Sequence, residues 1–462
     1  MRKTYLFVIL AMVLWACGCK PNPQEPEEPQ PQDTTQTEEP ADLSLIKQSV
    51  PVTNDWIYSG KPEITIHIEN PNKSAVRVGV LVKISTDTKK AVTEISDSVD
   101  IAGNSSVDYI ATTSEDLAPG FYRALCFVNN KSARALFTFG VDPFQLVSAP
   151  DKQPDFDEFW QTAKDQLASI DMKPNLIELP SKSSDKRKVY LVELNSVPDG
   201  LDGEPVVVRG YYCEPQDGQK HPVILHFYGY DTQGTKAKVE CPSGGSSNYA
   251  EFYLSHRGQY INNRPESSRV PDGLGDLKNI YGDWFAYHFG DKNSYYYRGA
   301  FMDCVQAVRF MATRETSDMS KLFAEGSSQG GALSYACAAL SDYPFTAIAP
   351  NVAFLGDFPD YFKIVGWPAE TAKANKGSMT DEEMYAFLSY FDTKNLATRI
   401  SAAVLGSSGL QDQTCPPHTN IAPFNNLQTP AADKEYIFAP EMQHDYPMGW
   451  TTKMMNFFKA RM

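Results

Sequence analysis

A chain of 462 residues with 42% hydrophobic side chains is long enough for two or three globular domains, each burying its own core. Its 42 Lys and Arg against 57 Asp and Glu leave a formal charge of -15, which gives no electrostatic footprint for a nucleic-acid backbone and excludes that class of partner. No stretch beyond the N-terminus approaches the ~20 consecutive apolar residues of a membrane-spanning helix, so a multispanning membrane protein is excluded as well.

Residues 1–19 read as a lipoprotein-type signal peptide. Arg2 and Lys3 supply the positive start, Tyr5 to Trp15 a short apolar run, and Ala16, Cys17, Gly18 and Cys19 follow it. A Cys directly after such a run resembles a bacterial lipobox, whose thiol is acylated. Cys17, after Leu14-Trp15-Ala16, is the expected acceptor and Cys19, after Gly18, the alternative. The expected location is therefore the cell envelope, periplasmic or at the outer-membrane surface, held to the membrane by an N-terminal lipid. Residues 20–43 are rich in Pro, Glu, Gln and Thr and cannot bury enough apolar area to offset their ordering entropy, so they read as a disordered tether. Seven carboxylates against Lys20 alone give this tether a net charge of -6.

Between residues 44 and 145 apolar residues alternate with polar ones. Ile64, Ile66 and Ile68 share one strand face, and Val76, Val78, Val80, Val82 and Ile84 another. Further strand-like runs at Val107 to Thr112, Gly120 to Val128 and Ala133 to Val141 predict a small immunoglobulin-like all-β sandwich, a spacer or packing domain with carbohydrate binding as the alternative. From residue 146 to 462 the pattern is α/β. Phe156, Phe159, Trp160, Ala163 and Leu167 recur at helical spacing, and short apolar strands at Val223 to Phe227, Lys321 to Ala324, Thr346 to Ala349, Ala402 to Leu405 and Tyr436 to Phe438 alternate with helices. That alternation predicts a largely parallel sheet covered on both faces. Cys126, Cys213, Cys241, Cys304, Cys337 and Cys415 show no paired spacing, so no metal site is expected; disulfides are permitted without being demanded.

The chemistry concentrates at Gly326-Ser327-Ser328-Gln329-Gly330. The motif follows an apolar strand and opens a small-residue helix, the context in which G-x-S-x-G makes a strained turn that holds its Ser outward. Ser328 is the expected nucleophile; Ser327 is its neighbour but breaks the Gly register. With such a turn the partners follow in the order acid, then His, and only His418 and His444 lie beyond Ser328. His418 sits too near the best acid to come from a separate loop, which leaves His444, past the strand Tyr436 to Phe438. Asp412, in the loop after the strand Ala402 to Leu405, is the expected acid, with Asp357, Asp360 and Asp392 weaker. The backbone N–H of Gln329 would supply one oxyanion donor and the loop His226 to Tyr230 a second.

From about Asp155 onward the chain resembles the acetyl xylan esterase and cephalosporin C deacetylase family, carbohydrate esterase family seven of the α/β-hydrolases. The resemblance is carried, in chain order, by Phe156-Asp-Glu-Phe-Trp160, Phe227-Tyr-Gly-Tyr230, Arg257-Gly-Gln259, Tyr295-Tyr-Tyr-Arg298, Gly326-Ser-Ser-Gln-Gly-Gly331, Asp412-Gln-Thr-Cys-Pro-Pro417 and His444-Asp445. It implies an α/β-hydrolase fold, no cofactor, a triad of Ser328, Asp412 and His444, and oxyanion donors at the amides of Tyr230 and Gln329. Arg257 and Gln259 are implied as scaffold near the nucleophile turn. Three positions depart from the family pattern: Asp445 stands where Glu is usual, Tyr228 where His is common, and Tyr260 where Gly follows R-G-Q. The family's frequent ring-like oligomers lack the β domain, which leaves the oligomeric state open here.

The expected function is an exported serine esterase that removes O-acetyl groups from plant polysaccharides or oligosaccharides. A prolyl-oligopeptidase-like peptidase, or a tethered glycan-binding protein with a degenerate hydrolase domain, are the alternatives.

Overall fold

Period-two alternation builds the N-terminal sheets of the computed structural model, which describes residues 41–234, 237–242, 248–261 and 279–462. The expected signal peptide with Cys17 and Cys19, and the tether as far as residue 40, lie outside the described residues. Ala41 to Leu43 are attached to the β region: Asp42 N–H donates to Asn72 Oδ1 at 2.8 Å, and Asn72 Nδ2 donates back to Asp42 O at 3.1 Å.

Eight strands precede residue 142: β1 (Lys47–Ser49), β2 (Ile57–Tyr58), β3 (Glu63–Asn70), β4 (Val76–Thr86), β5 (Ala91–Ile101), β6 (Ser105–Thr112), β7 (Gly120–Val128) and β8 (Lys131–Val141). They form a three-stranded sheet in the order β1-β3-β6 and a five-stranded sheet in the order β2-β8-β7-β4-β5. All pairs are antiparallel except β2 with β8. Ile64, Ile66 and Ile68 from the first sheet and Val78, Val80, Val82, Phe137 and Phe139 from the second are buried in one core, as their alternation requires. The other face of β7 and β8 turns toward the rest of the chain, where the Phe121 ring lies 6.0 Å from Phe438.

The second part opens with α1 (Phe156–Ser169), whose apolar stripe of Phe156, Phe159, Trp160, Ala163 and Leu167 is buried. Its strands are β9 (Asn175–Glu178), β10 (Arg187–Ser196), β11 (Val206–Pro215), β12 (His221–Phe227), β13 (Ala250–Ser255), β14 (Ser317–Ser327), β15 (Ala347–Asn351), β16 (Ala403–Gly409) and β17 (Lys434–Ala439). The helices that follow α1 are α2 (Tyr296–Ala312), α3 (Gln329–Leu340), α4 (Phe358–Ile364), α5 (Gly366–Asn375), α6 (Asp381–Leu388), α7 (Thr393–Ala397), α8 (Pro417–Asn425) and α9 (Trp450–Lys459). One nine-stranded sheet runs β17-β16-β15-β14-β12-β13-β11-β10-β9. Pairs from β13 to β17 are parallel; β9, β10 and β11 add an antiparallel edge that the sequence reading does not contain.

Strand β12 has its parallel neighbours β13 and β14 on opposite sides, so the direction of the connections reverses there. Ligands of open α/β sheets bind in the crevice outside the strand carboxyl ends at such a point. The segments leaving β12 and β14 are those with the Tyr228–Tyr230 and Ser328 motifs. Among the described residues Cys126, Cys213, Cys304, Cys337 and Cys415 are buried free thiols.

Candidate active site

Ser328 stands between β14 and α3 with φ 59° and ψ -121°, a strained conformation that its surroundings enforce. Its N–H donates to Asn351 O at 3.0 Å, and its carbonyl accepts from Phe354 N at 3.0 Å and Ala332 N at 3.2 Å. The flanking glycines are required by close approach: a Cβ on Gly326 would meet the Gly330 backbone at 2.4 Å, and one on Gly330 would meet Phe227 O at 2.4 Å. Gly330→Ala should therefore force β12 and α3 apart, with about 1–3 kcal/mol of destabilisation from overpacking. Chemical denaturation checks this, and an unchanged midpoint would contradict the packing. Ser327 is engaged differently, since its hydroxyl accepts from Asn351 Nδ2 at 2.8 Å.

Asp412 and His444 come together on adjacent loops beyond β16 and β17. His444 Nδ1 lies 2.7 Å from Asp412 Oδ2, and Asp412 Oδ1 accepts from the amides of Thr414 at 2.7 Å and Cys415 at 2.9 Å. The carboxylate is buried while the imidazole is partly exposed. Ser328 and His444 line a single cavity of about 730 Å3, together with Tyr228, Tyr230, Lys238 and Tyr446. Tyr228, one of the departures from the family pattern, thus borders the space in front of Ser328. Tyr260 is not in that lining; its carbonyl accepts from Val239 N at 2.8 Å.

The residues expected as oxyanion donors approach the same point. Gln329 opens α3, where a first-turn N–H has no intrahelical acceptor. Gly229 passes over the Ser328 turn, close enough that a Cβ on it would lie 3.8 Å from Ser328 Cβ, and Tyr230 follows. Tyr230 is held by its hydroxyl on Asp283 at 2.7 Å and by edge contact with Trp284.

Gln329 is itself fixed by a buried network that sequence reasoning missed. Its Oε1 accepts from Tyr297 OH at 2.9 Å, and its Nε2 meets His256 Nε2 at 3.0 Å. Burial holds the His256 imidazole down to about 4, so it is neutral at Nε2 and accepts the amide. Tyr296 OH donates to Arg257 O at 2.6 Å and lies 2.9 Å from His256 Nδ1, which carries the ring proton. The signal was present in the sequence, since His256 directly precedes Arg257-Gly-Gln259 and Tyr296 and Tyr297 sit in Tyr295-Tyr-Tyr-Arg298. Arg257 pairs with Asp303 and Asp199, each at 2.8 Å, and Gln259 donates to Ala237 O. Both lie beside the network rather than against Ser328.

In the cavity wall His226 sits between Glu325 Oε1 at 2.7 Å and Glu251 Oε1 at 3.3 Å, with Glu251 also paired to Arg187 at 2.8 Å. Burial opposes protonation of His226, but the hydrogen bonds with Glu251 and Glu325 outweigh it and carry the imidazole up to about 9. His418, excluded above as the base, meets Asp87 Oδ2 at 2.7 Å; burial again opposes protonation, and Asp360 and Asp87 raise it to about 9. A histidine raised from 6.5 to about 9 stabilises the fold fully below pH 6.5, and that contribution disappears as the pH climbs through 9. The thermal midpoint should accordingly fall between these values, and less steeply in His226→Gln or His418→Gln chains; a flat profile in the parent would contradict the two clusters.

The sheet with its switch point and strained serine turn is that of an α/β-hydrolase, and the protein is a carboxylic ester hydrolase. The chain belongs to the acetyl xylan esterase (AXE1) family, carbohydrate esterase family seven, whose model matches residues 142–461. It is similar to the acetyl esterase Axe7A of Xylanibacter ruminicola, 24% identical over 416 residues covering 88% of each chain, an extent that takes in part of the N-terminal sheets. Among solved structures it is similar to the acetyl xylan esterase from Paenibacillus sp. R4, with TM-score 0.55, 27% identity, and coverage of 69% of this chain and 98% of that one. Acetyl xylan esterase 1 from Thermoanaerobacterium sp. JW/SL YS485 shares the fold, with TM-score 0.55 at 24% identity over 69% of this chain and 96% of that one.

Proposed function

We propose that the chain is an exported serine esterase that releases acetate from O-acetylated xylan or related plant glycans and their oligosaccharides. The observation that carries this reading is the pairing of His444 with buried Asp412 at the rim of the cavity that Ser328 lines, in a member of the acetyl xylan esterase family. Ser328 Oγ attacks the acetyl carbonyl while His444 Nε2 takes its proton. The amides of Tyr230 and Gln329 face the oxyanion. Collapse breaks the ester C–O bond and expels the sugar oxygen, which takes the proton from His444 and leaves as the hydroxyl, with acetyl-Ser328 behind; a water activated by the same imidazole then releases acetate. Asp412 keeps the Nδ1 proton of His444 in place without taking it. The cavity is many times larger than an acetyl group, consistent with sugar rings at its mouth.

Acetate release from acetylated xylan, acetylated oligosaccharides and aryl acetates, compared with turnover of aminoacyl anilides, tests the substrate class. Faster cleavage of the anilides would sink it in favour of a peptidase. Failure of a serine-reactive phosphonate to label Ser328 would favour a degenerate, glycan-binding role.

The same proposal includes the N-terminal features. Two sheets, antiparallel but for the β2–β8 pair, with a shared core support an immunoglobulin-like sandwich. Arg2, Lys3, the apolar run Tyr5 to Trp15 and the cysteines behind it support export and lipid anchoring at Cys17 or Cys19. Metabolic labelling with a fatty acid tests the anchor, and label that persists when both cysteines are replaced by Ser would refute it.

A further inference from the structure

We propose that the N-terminal sheets are a working part of the esterase, because they hold the loops that carry Asp412 and His444, and that Gln411 and Asp87 are positioning residues for the reaction. This inference rests on the triad reading above.

The contact begins at an unpaired sheet edge. In the antiparallel pair of β7 and β8, Thr138 stands opposite Arg123, while β2 covers β8 only at Gly140 and Val141. The Thr138 N–H and C=O therefore point at an open edge, where unpaired backbone groups are costly unless another chain segment takes them. Gln411 takes both. Its Oε1 accepts from Thr138 N at 2.8 Å and its Nε2 donates to Thr138 O at 3.0 Å, so the side-chain amide stands in for the backbone of a neighbouring strand. The same Nε2 donates to Pro440 O at 2.7 Å. Gln411 immediately precedes Asp412, and Pro440 opens the loop that leads to His444. One amide thereby clamps both catalytic loops to the edge of β8. Backbone bonds stitch these loops together at the same place, from Leu410 N to Ala439 O and from Gln411 N to Met442 O, each 3.0 Å.

A second grip lies on the far side of the acid. After Asp412 the chain passes through Pro416 and Pro417 to His418, whose Nδ1 meets Asp87 Oδ2 at 2.7 Å. Asp87 lies in the turn between β4 and β5 and is fixed there by its own N–H on Phe121 O at 3.1 Å. Asp412 is thus held from the sheets through the residue before it and through a residue six positions after it. A third contact, Arg134 to Glu441 at 3.0 Å, is partly exposed and adds little by itself. The geometry matters because Asp412 Oδ2 sets the orientation of His444, and a displacement of about 1 Å in a reacting constellation costs on the order of a hundredfold in rate.

The test uses the full chain with Gln411→Ala, Asp87→Ala and Asp87→Asn, assayed on a small aryl acetate and on acetylated xylan, with Ser328→Ala alongside. The aryl acetate needs no glycan subsite. Loss of either grip should lower its kcat about ten- to a hundredfold, with KM within about twofold and phosphonate labelling of Ser328 slowed in parallel. Asp87→Asn keeps an acceptor for a His418 Nδ1–H and should recover most of the rate. Folded Gln411→Ala and Asp87→Ala chains with parent kcat on the aryl acetate would overturn the proposal. A loss confined to acetylated xylan would also overturn it and assign the sheets to glycan binding. If Gln411→Ala does not fold, the contrast between Asp87→Ala and Asp87→Asn decides. An active Ser328→Ala chain would instead refute the triad reading itself, so the two failures are separable.

Discussion

Ser328→Ala should lower kcat for acetate release by about a millionfold, the scale at which a nucleophile and its base act as one unit. The adjacent hydroxyl of Ser327 cannot take over. Ser327 is one residue away, but its Oγ is engaged by Asn351 Nδ2, and Asn351 is tied in turn to Ser407 and to the Asp445 carbonyl. Relocating the reaction to Ser327 would mean breaking the set of bonds that joins β14, β15 and the His444 loop. The substitution leaves backbone strain at residue 328 in place, because Ala meets the same left-handed φ of 59°. Thermal stability should therefore change little while acetate release vanishes, and a chain that keeps more than a few per cent of the parent rate would remove Ser328 from the mechanism.

Asp412→Asn should cost about 10^4-fold in kcat with the fold intact. The reason lies in what surrounds the carboxylate. Its Oδ1 already accepts two backbone amides, from Thr414 and Cys415, so the oxygen of the substituted amide will stay on that side. The new NH2 group must then face His444 Nδ1, where it donates. An imidazole that accepts at Nδ1 carries its proton at Nε2 and cannot receive the proton of Ser328. Acetate release measured across pH checks this, and a loss under tenfold would mean that Asp412 does not set the tautomer.

The strained turn at Ser328 was legible because it is local: G-x-S-x-G between an apolar strand and a small-residue helix is a continuous stretch, and Gly326 and Gly330 serve the close approaches it implies. Chain order and loop position were enough to bring Asp412 and His444 forward, and in the structure they meet at 2.7 Å. The eight-stranded N-terminal region was readable wherever one strand face is wet and the other dry, as in β3 and β4. Strand β5 escaped because most of its residues are exposed or half-exposed on both faces, and β11 because Val208 to Cys213 are buried on both faces, which erases alternation. The Gln329 network was illegible for another reason. His256, Tyr296 and Tyr297 lie far from Ser328 in sequence, and nothing in spacing alone reports that burial makes a histidine neutral and an acceptor. The grip of Gln411 on Thr138 likewise depends on which edge of β8 is left open, a property of sheet order.

The five buried cysteines among the described residues, Cys126, Cys213, Cys304, Cys337 and Cys415, have a bearing on how the chain matures. Burial pushes the Cys126 and Cys213 thiols up to about 12 and those of Cys304, Cys337 and Cys415 well above their ordinary value, so the reactive thiolate is scarce at neutral pH. None of them closes a loop in the folded state. At these five positions folding therefore needs no oxidase or isomerase, and reductants have no bond there to break.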